Sequence, residues 1–149
     1  MRLFGHPVHP MLVHFPVACW TLGTACDGLA LFGIRQAWPV AGLFLTIGVA
    51  TALPAFIAGF IDLIALPEKA VQTGNIHMTL MGAAWTLYLA ALLLRSKGWV
   101  LAAQPGWATV ALSFAGFLLM AVGSYYGGQL VYRFGAGLRG GHEKKPGGI

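Results

Sequence analysis

The sequence predicts an all-α protein, an integral membrane four-helix bundle, and two observations carry that expectation. First, 58% of the residues are hydrophobic and only 9% are charged, with mean hydropathy +0.75, against about a quarter charged in an ordinary soluble domain. Such a chain lacks the polar atoms to cover a surface that faces water. Second, the apolar residues fall into four long runs, each of about 20 residues or more, the length that crosses a bilayer. The runs are too continuous for the alternating strands of an outer-membrane barrel. The 149 residues divide into one four-span domain, 1–140, and a basic Gly-rich tail, 141–149.

Span one runs from Met11 to Phe32 and stops at Gly33. Pro10 suits a first helical position, where its missing N–H costs nothing; Pro16 either kinks the helix or marks its start. Arg2 is a weak basic start, and the Pro and His residues that follow interrupt any signal-peptide core, so the segment reads as retained. Span two runs from Pro39 to Leu66 and is long enough to tilt or to bend at Pro54. Span three runs from Ile76 to Leu94 and ends at Arg95-Ser96-Lys97-Gly98. Span four runs from Pro105 to Tyr132, with Gly127-Gly128 as its weak point. Small residues recur at helical spacing in span one (Ala18, Thr21, Ala25, Gly28), span two (Gly48, Ala52, Ala55, Gly59) and span three (Thr79, Gly82, Ala83, Thr86, Ala90). Such stripes let helices approach closely in lipid.

The net charge of +5 comes from basic residues at span ends and in the tail, where lipid head groups attract them; nucleic acid is not an expected partner. With four spans, both termini share one membrane face with the loop between spans two and three. This terminal face holds Arg2, Lys69, Arg133, Arg139, Lys144 and Lys145, against Arg35, Arg95 and Lys97 opposite. The balance favours cytoplasmic termini in a multi-pass protein of the bacterial inner membrane. Trp38, Trp99 and Trp107 mark the opposite interface. Cys19 and Cys26 lie in an apolar run with no CxxC spacing and read as small hydrophobes.

All five histidines, His6, His9, His14, His77 and His142, belong to the terminal face, and Asp62 and Arg133 join them. Ionisable groups within a membrane are costly, so they usually face the bundle interior and mark a site. His14 lies one turn into span one and His77 in the first turn of span three, and these spans run in the same direction. Two imidazoles on neighbouring helices can ligate one haem iron from opposite sides. His14 and His77 are therefore the expected metal ligands, with an offset of about 4–5 Å along the axis for tilt to absorb. His9, just ahead of the span, is the alternative partner. The small residues below His14 offer room for a flat macrocycle. Arg133 is expected to meet a haem propionate or a lipid phosphate. Asp62 is expected to orient the His77 imidazole, or to cap span two. Asp27 stands apart at the far end of span one.

No HExxH, Gly-rich phosphate loop or Ser nucleophile elbow occurs, and hydrolase or transferase chemistry has no support. The segments Gly5-His6-Pro7-Val8-His9-Pro10-Met11-Leu12-Val13-His14-Phe15-Pro16, Gly59-Phe60-Ile61-Asp62 with His77, and Gly127-Gly128-Gln129-Leu130-Val131-Tyr132-Arg133-Phe134-Gly135 together resemble a bacterial membrane family known as domain of unknown function 2231. The resemblance covers nearly the whole chain and implies a four-helix membrane domain. Some similar proteins join this domain to Rieske iron–sulfur or c-type cytochrome modules, which implies electron transfer by association. Two separated cysteines can build neither centre here.

The expected function is a b-type haem (heme b) subunit that passes electrons between a quinone and a redox partner protein or complex. The rival is a haem-free membrane anchor of a larger complex. A small transporter using the His/Asp cluster is a third reading, and against it the spans carry no clear inverted repeat.

Overall fold

The computed structural model describes residues 2–3, 6–97, 100–101 and 106–137; the tail expected at 141–149 lies outside them. Four long helices make up the fold: α1 (Val8–Leu31), α2 (Ala37–Ile64), α3 (Glu68–Arg95) and α4 (Trp107–Tyr132). Arg2–Leu3 pairs with His6–Pro7, and Ser96–Lys97 with Val100–Leu101, as two-residue antiparallel ladders beside the helices. The chain is thus an all-α membrane bundle. Helices α2, α3 and α4 are long and apolar enough to cross a membrane. Helix α1, 24 residues long, falls outside that set; His9, His14 and Asp27 lower its hydropathy. Large apolar side chains cover much of the outer surface, as lipid requires: Phe32 is 89% and Ile64 73% exposed.

The spans differ from expectation mainly at α3, which begins eight residues before Ile76. Pro67 is extended and stands at the N-cap position, and Glu68 occupies the first turn, where a carboxylate meets the positive end of the helix dipole. Hydropathy passes over Glu68, Lys69, Gln72 and Asn75 because it reads lipid contact, whereas backbone hydrogen bonding tolerates them. His77 consequently lies in the third turn of α3. Helix α1 begins before Pro10, so Pro16 is an interior, buried residue and does not mark its start. Gly33, with φ +93°, ends the turn after α1 in a backbone region open to glycine.

The helices pack as two tight hairpins, α1–α2 and α3–α4, joined across looser seams between α2 and α3 and between α1 and α4. The hairpins are equivalent. A residue of the first corresponds to the residue 68 positions later, the separation of Asp27 from Arg95. Equivalent residues meet on the bundle axis at three levels. His9 faces His77, Trp20 stacks on Tyr88 with ring centroids 4.8 Å apart, and Asp27 pairs with Arg95. Since α1 and α3 run the same way, the pseudo-two-fold axis lies along the bundle. It is a parallel repeat, not an inverted one.

The middle level is the apolar core, built around Trp20, Tyr88, Leu45, Ala52, Ala84 and Met120. Gly48 and Gly116, equivalent positions, admit the two rings: a Cβ at Gly48 would lie 2.5 Å from Trp20 and one at Gly116 3.1 Å from Tyr88. Below it, the Tyr88 hydroxyl and Thr24 Oγ1 are 3.0 Å apart, and Thr24 also meets Ser113 at 3.0 Å.

The third level corrects two sequence expectations. Asp27 does not stand apart, and Arg95 is not a surface charge. Both are fully buried, joined by Arg95 Nη2 donating to Asp27 Oδ1 at 2.5 Å. Arg95 Nη1 donates to the Trp38 carbonyl at 3.0 Å, and its guanidinium lies 3.7 Å from the centre of the Trp38 ring, within cation–π range. Trp38 is therefore a core residue and no interface marker.

Candidate functional site: a histidine pair at the terminal end of the bundle

His9 sits in the first turn of α1 and His77 in the third turn of α3, and the two rings meet across the bundle axis. Their centroids are 6.3 Å apart and their planes cross at 82°. Each ring is held by its own hairpin in the same way. His9 Nδ1 donates to the Ala55 carbonyl at 2.8 Å, and His77 Nδ1 donates to the Gly123 carbonyl at 2.8 Å. Ala55 and Gly123 are equivalent positions. A carbonyl only accepts, so a proton resides on Nδ1; in the neutral ring Nε2 then keeps its lone pair, the tautomer a metal-ligating imidazole needs.

Two glycines complete the cradle. A Cβ at Gly59 would come within 2.8 Å of the His9 ring, and one at Gly127 within 3.0 Å of the His77 ring. Gly127 is thus a close-packing position inside a continuous α4, not the weak point expected there. Gly59→Val is expected to push the His9 ring off its anchor while leaving the bundle inserted, because the clash is confined to one side chain. A several-fold weaker uptake of a ligand that needs both rings, with unchanged far-ultraviolet circular dichroism, checks this.

Both rings line a cavity of about 540 Å³, in the size range of small-molecule and cofactor sites. Its other walls include Val13, Val17, Gly74, Met78, Met81, Ser124 and Leu130, and it reaches Pro67 and Phe134 at the terminal end. Its lining is mostly apolar, which suits a hydrophobic ligand.

The expected pairing of His14 with His77 is not what the geometry delivers. His14 lies on the exposed outer side of α1, as do Ala18, Thr21 and Ala25, so that small-residue stripe does not open the cavity; Gly59 and Gly127 do. His77 is held by the Gly123 carbonyl, and Asp62 lines the cavity one turn beyond Gly59. Arg133 is exposed and lies outside the cavity lining. Its guanidinium sits 5.4 Å from the Phe134 ring, and it borders a shallow hollow with Tyr125, Gln129 and Tyr132.

Both flanking motifs of the sequence converge on this cavity: His9 and Pro10 from the first, Gly127, Gly128, Leu130 and Phe134 from the last. A family model described as "Predicted membrane protein (DUF2231)" matches residues 5–140. The chain belongs to the DUF2231 family. No curated protein and no solved structure matches it.

Within this DUF2231 chain, the carbonyl anchors and the two-fold relation were not legible in the sequence, and His9 entered only as the alternative to His14. One signal was present. His9, Gly48 and Gly59 recur as His77, Gly116 and Gly127 at one constant offset. Hardly any other position keeps its residue across the offset, so the repeat is too sparse to stand out without the fold.

Proposed function

We propose that this DUF2231 protein is a b-type haem membrane subunit that passes electrons between a quinone and a partner protein. The macrocycle would be held between His9 and His77, and the iron would supply the one-electron chemistry. One observation carries the reading: two equivalent imidazoles facing each other, each fixed by an Nδ1–H to a backbone carbonyl. The ring centroids stand 6.3 Å apart, near enough for both imidazoles to hold one metal between them. Gly59 and Gly127 pack closely against the two rings and so fix where the imidazoles stand. The cavity volume favours a macrocycle over a bare ion. In this reading the protein's own groups hold the imidazoles, select their tautomer and keep the site dry.

The charge asymmetry of the sequence supports cytoplasmic termini in a bacterial inner membrane. The histidine pair would then lie towards the cytoplasmic leaflet. Labelling a Cys placed in the tail from the cytoplasmic side only is the expected result.

The deciding experiment is the visible and electron paramagnetic resonance spectrum of full-length protein produced with haem. Low-spin absorption with a strongly anisotropic ferric signal, as nearly perpendicular axial rings produce, is expected. Protein that inserts, folds and takes up no haem would instead fit a structural anchor.

A further inference from the structure

The two hairpins are equivalent in backbone but not in how they close the bundle below the histidine pair. On the α2–α3 seam, Phe56 packs edge to face on Trp85 with ring centroids 6.5 Å apart, and the Trp85 indole N–H donates to the Val49 carbonyl at 3.1 Å. Phe60 follows one turn along α2. This seam is filled. The equivalent positions on the α1–α4 seam are Ser124 for Phe56, Val17 for Trp85 and Gly128 for Phe60, each at the 68-residue offset. The packed Phe56–Trp85 pair on one side thus corresponds to Ser124 and Val17 on the other, and the exposed Phe60 to Gly128. The cavity follows the difference: Val13, Val17, Ser124 and Gly128 line it, whereas Phe56, Phe60 and Trp85 do not. Ser124 both lines the cavity and is exposed at the bundle surface, which brings the cavity up to the outer side of this seam, within a helix long and apolar enough to cross a membrane.

We propose that the α1–α4 seam is a lateral entrance from the bilayer, and that it docks the head group of a lipid-soluble quinone. A ligand arriving through this seam must already be dissolved in the membrane. Gly128 and Val17 leave a slot suited to a flat ring, and the apolar walls suit a ring with a prenyl tail. The Ser124 hydroxyl supplies one hydrogen bond to a ring carbonyl, enough to orient a head group in an otherwise apolar slot. The slot leads directly to the histidine pair. This inference rests on the electron-transfer reading for its purpose, but quinone binding is measurable apart from it.

The test uses the full-length protein in lipid nanodiscs and a photoreactive azido-quinone with a prenyl tail, with labelled peptides located by mass spectrometry. Label is expected on the stretches around Val13–Val17 and Ser124–Gly128, competed by unlabelled quinone but not by added phospholipid. Ser124→Phe, which installs the residue of the filled seam, is expected to abolish the competable label. Ser124→Ala, which keeps the space and removes one hydrogen bond, is expected to weaken competition roughly three- to tenfold, and it decides the matter if the larger substitution fails to fold. Label scattered over the lipid-facing surface, label displaced equally by phospholipid, or both variants labelling as wild type would each overturn the proposal. The haem spectrum of the same preparations separates the two ideas. Competable labelling without haem sinks the electron-transfer reading alone, and haem without competable labelling sinks the quinone site alone.

Discussion

His9→Ala and His77→Ala are each expected to lose the low-spin haem spectrum, while His14→Ala keeps it. Losing an outer hydrogen-bond partner of a metal ligand typically costs 10–100-fold in affinity; losing the ligand itself is expected to exceed about 100-fold by the same scale. The contrast between the two α1 histidines follows from their positions. His9 is hydrogen-bonded to Ala55 and faces His77, whereas His14 is exposed on the outer side of the helix. Haem titration of the three variants, read by reduced-minus-oxidised difference spectra, checks the expectation. Retention in His9→Ala together with loss in His14→Ala would require α1 to be rotated from its present facing. Neither histidine at the site is needed to hold the core, since the Trp20–Tyr88 level lies deeper, so all three variants should remain inserted and folded.

The second large effect is expected at the opposite end. Arg95→Leu leaves the Asp27 carboxylate buried without its partner, and breaking a buried ion pair from one side costs about 3–5 kcal/mol. Asp27→Leu has the same consequence for the guanidinium, eased by its stacking on Trp38. The double variant Asp27→Leu/Arg95→Leu is expected to recover most of the loss. Asp27 Oδ2 and Arg95 Nε have no hydrogen-bond partner among the described residues, and an incompletely satisfied pair adds little net stability over apolar side chains. Thermal unfolding in detergent, followed by tryptophan fluorescence, measures all three; additive losses in the double variant would contradict a direct pairing. The pair also carries a specificity that apolar residues would not. It places opposite charges at equivalent positions, so the first hairpin matches the second better than it matches a copy of itself.

These expectations differ in how much of them was legible in the sequence. The membrane environment and the number of helices were legible, because lipid contact demands long apolar runs and composition records them directly. The end of the bundle that carries the site was legible too, since His9, His77, Asp62 and the Gly127 region fall at span ends that share one face. The start of α3 was not, because the two polar turns from Glu68 to Asn75 are helical without being apolar. Asp27 and Arg95 looked like unrelated residues near span ends; their meeting depends on α1 and α3 being diagonal neighbours, which no local pattern states.

The choice between His9 and His14 illustrates the boundary. The two residues are five apart, which turns them about 140° from each other on a helix, so one can face the axis only if the other faces out. Which of them does depends on the rotation of α1, and that rotation is set by packing: Trp20 against Gly48, Asp27 against Arg95, and the His9 ring against Gly59. The sequence by itself determined an all-α membrane protein of the DUF2231 family with its polar residues gathered at one end. The tertiary structure alone decided that the chain is a doubled hairpin, that His9 is the partner of His77, and that one seam is filled with aromatic rings while its equivalent is open. The reason is physical. Apolar runs and helix signals are properties of neighbouring residues, whereas helix rotation and the matching of two seams arise only when side chains far apart in the chain compete for the same space.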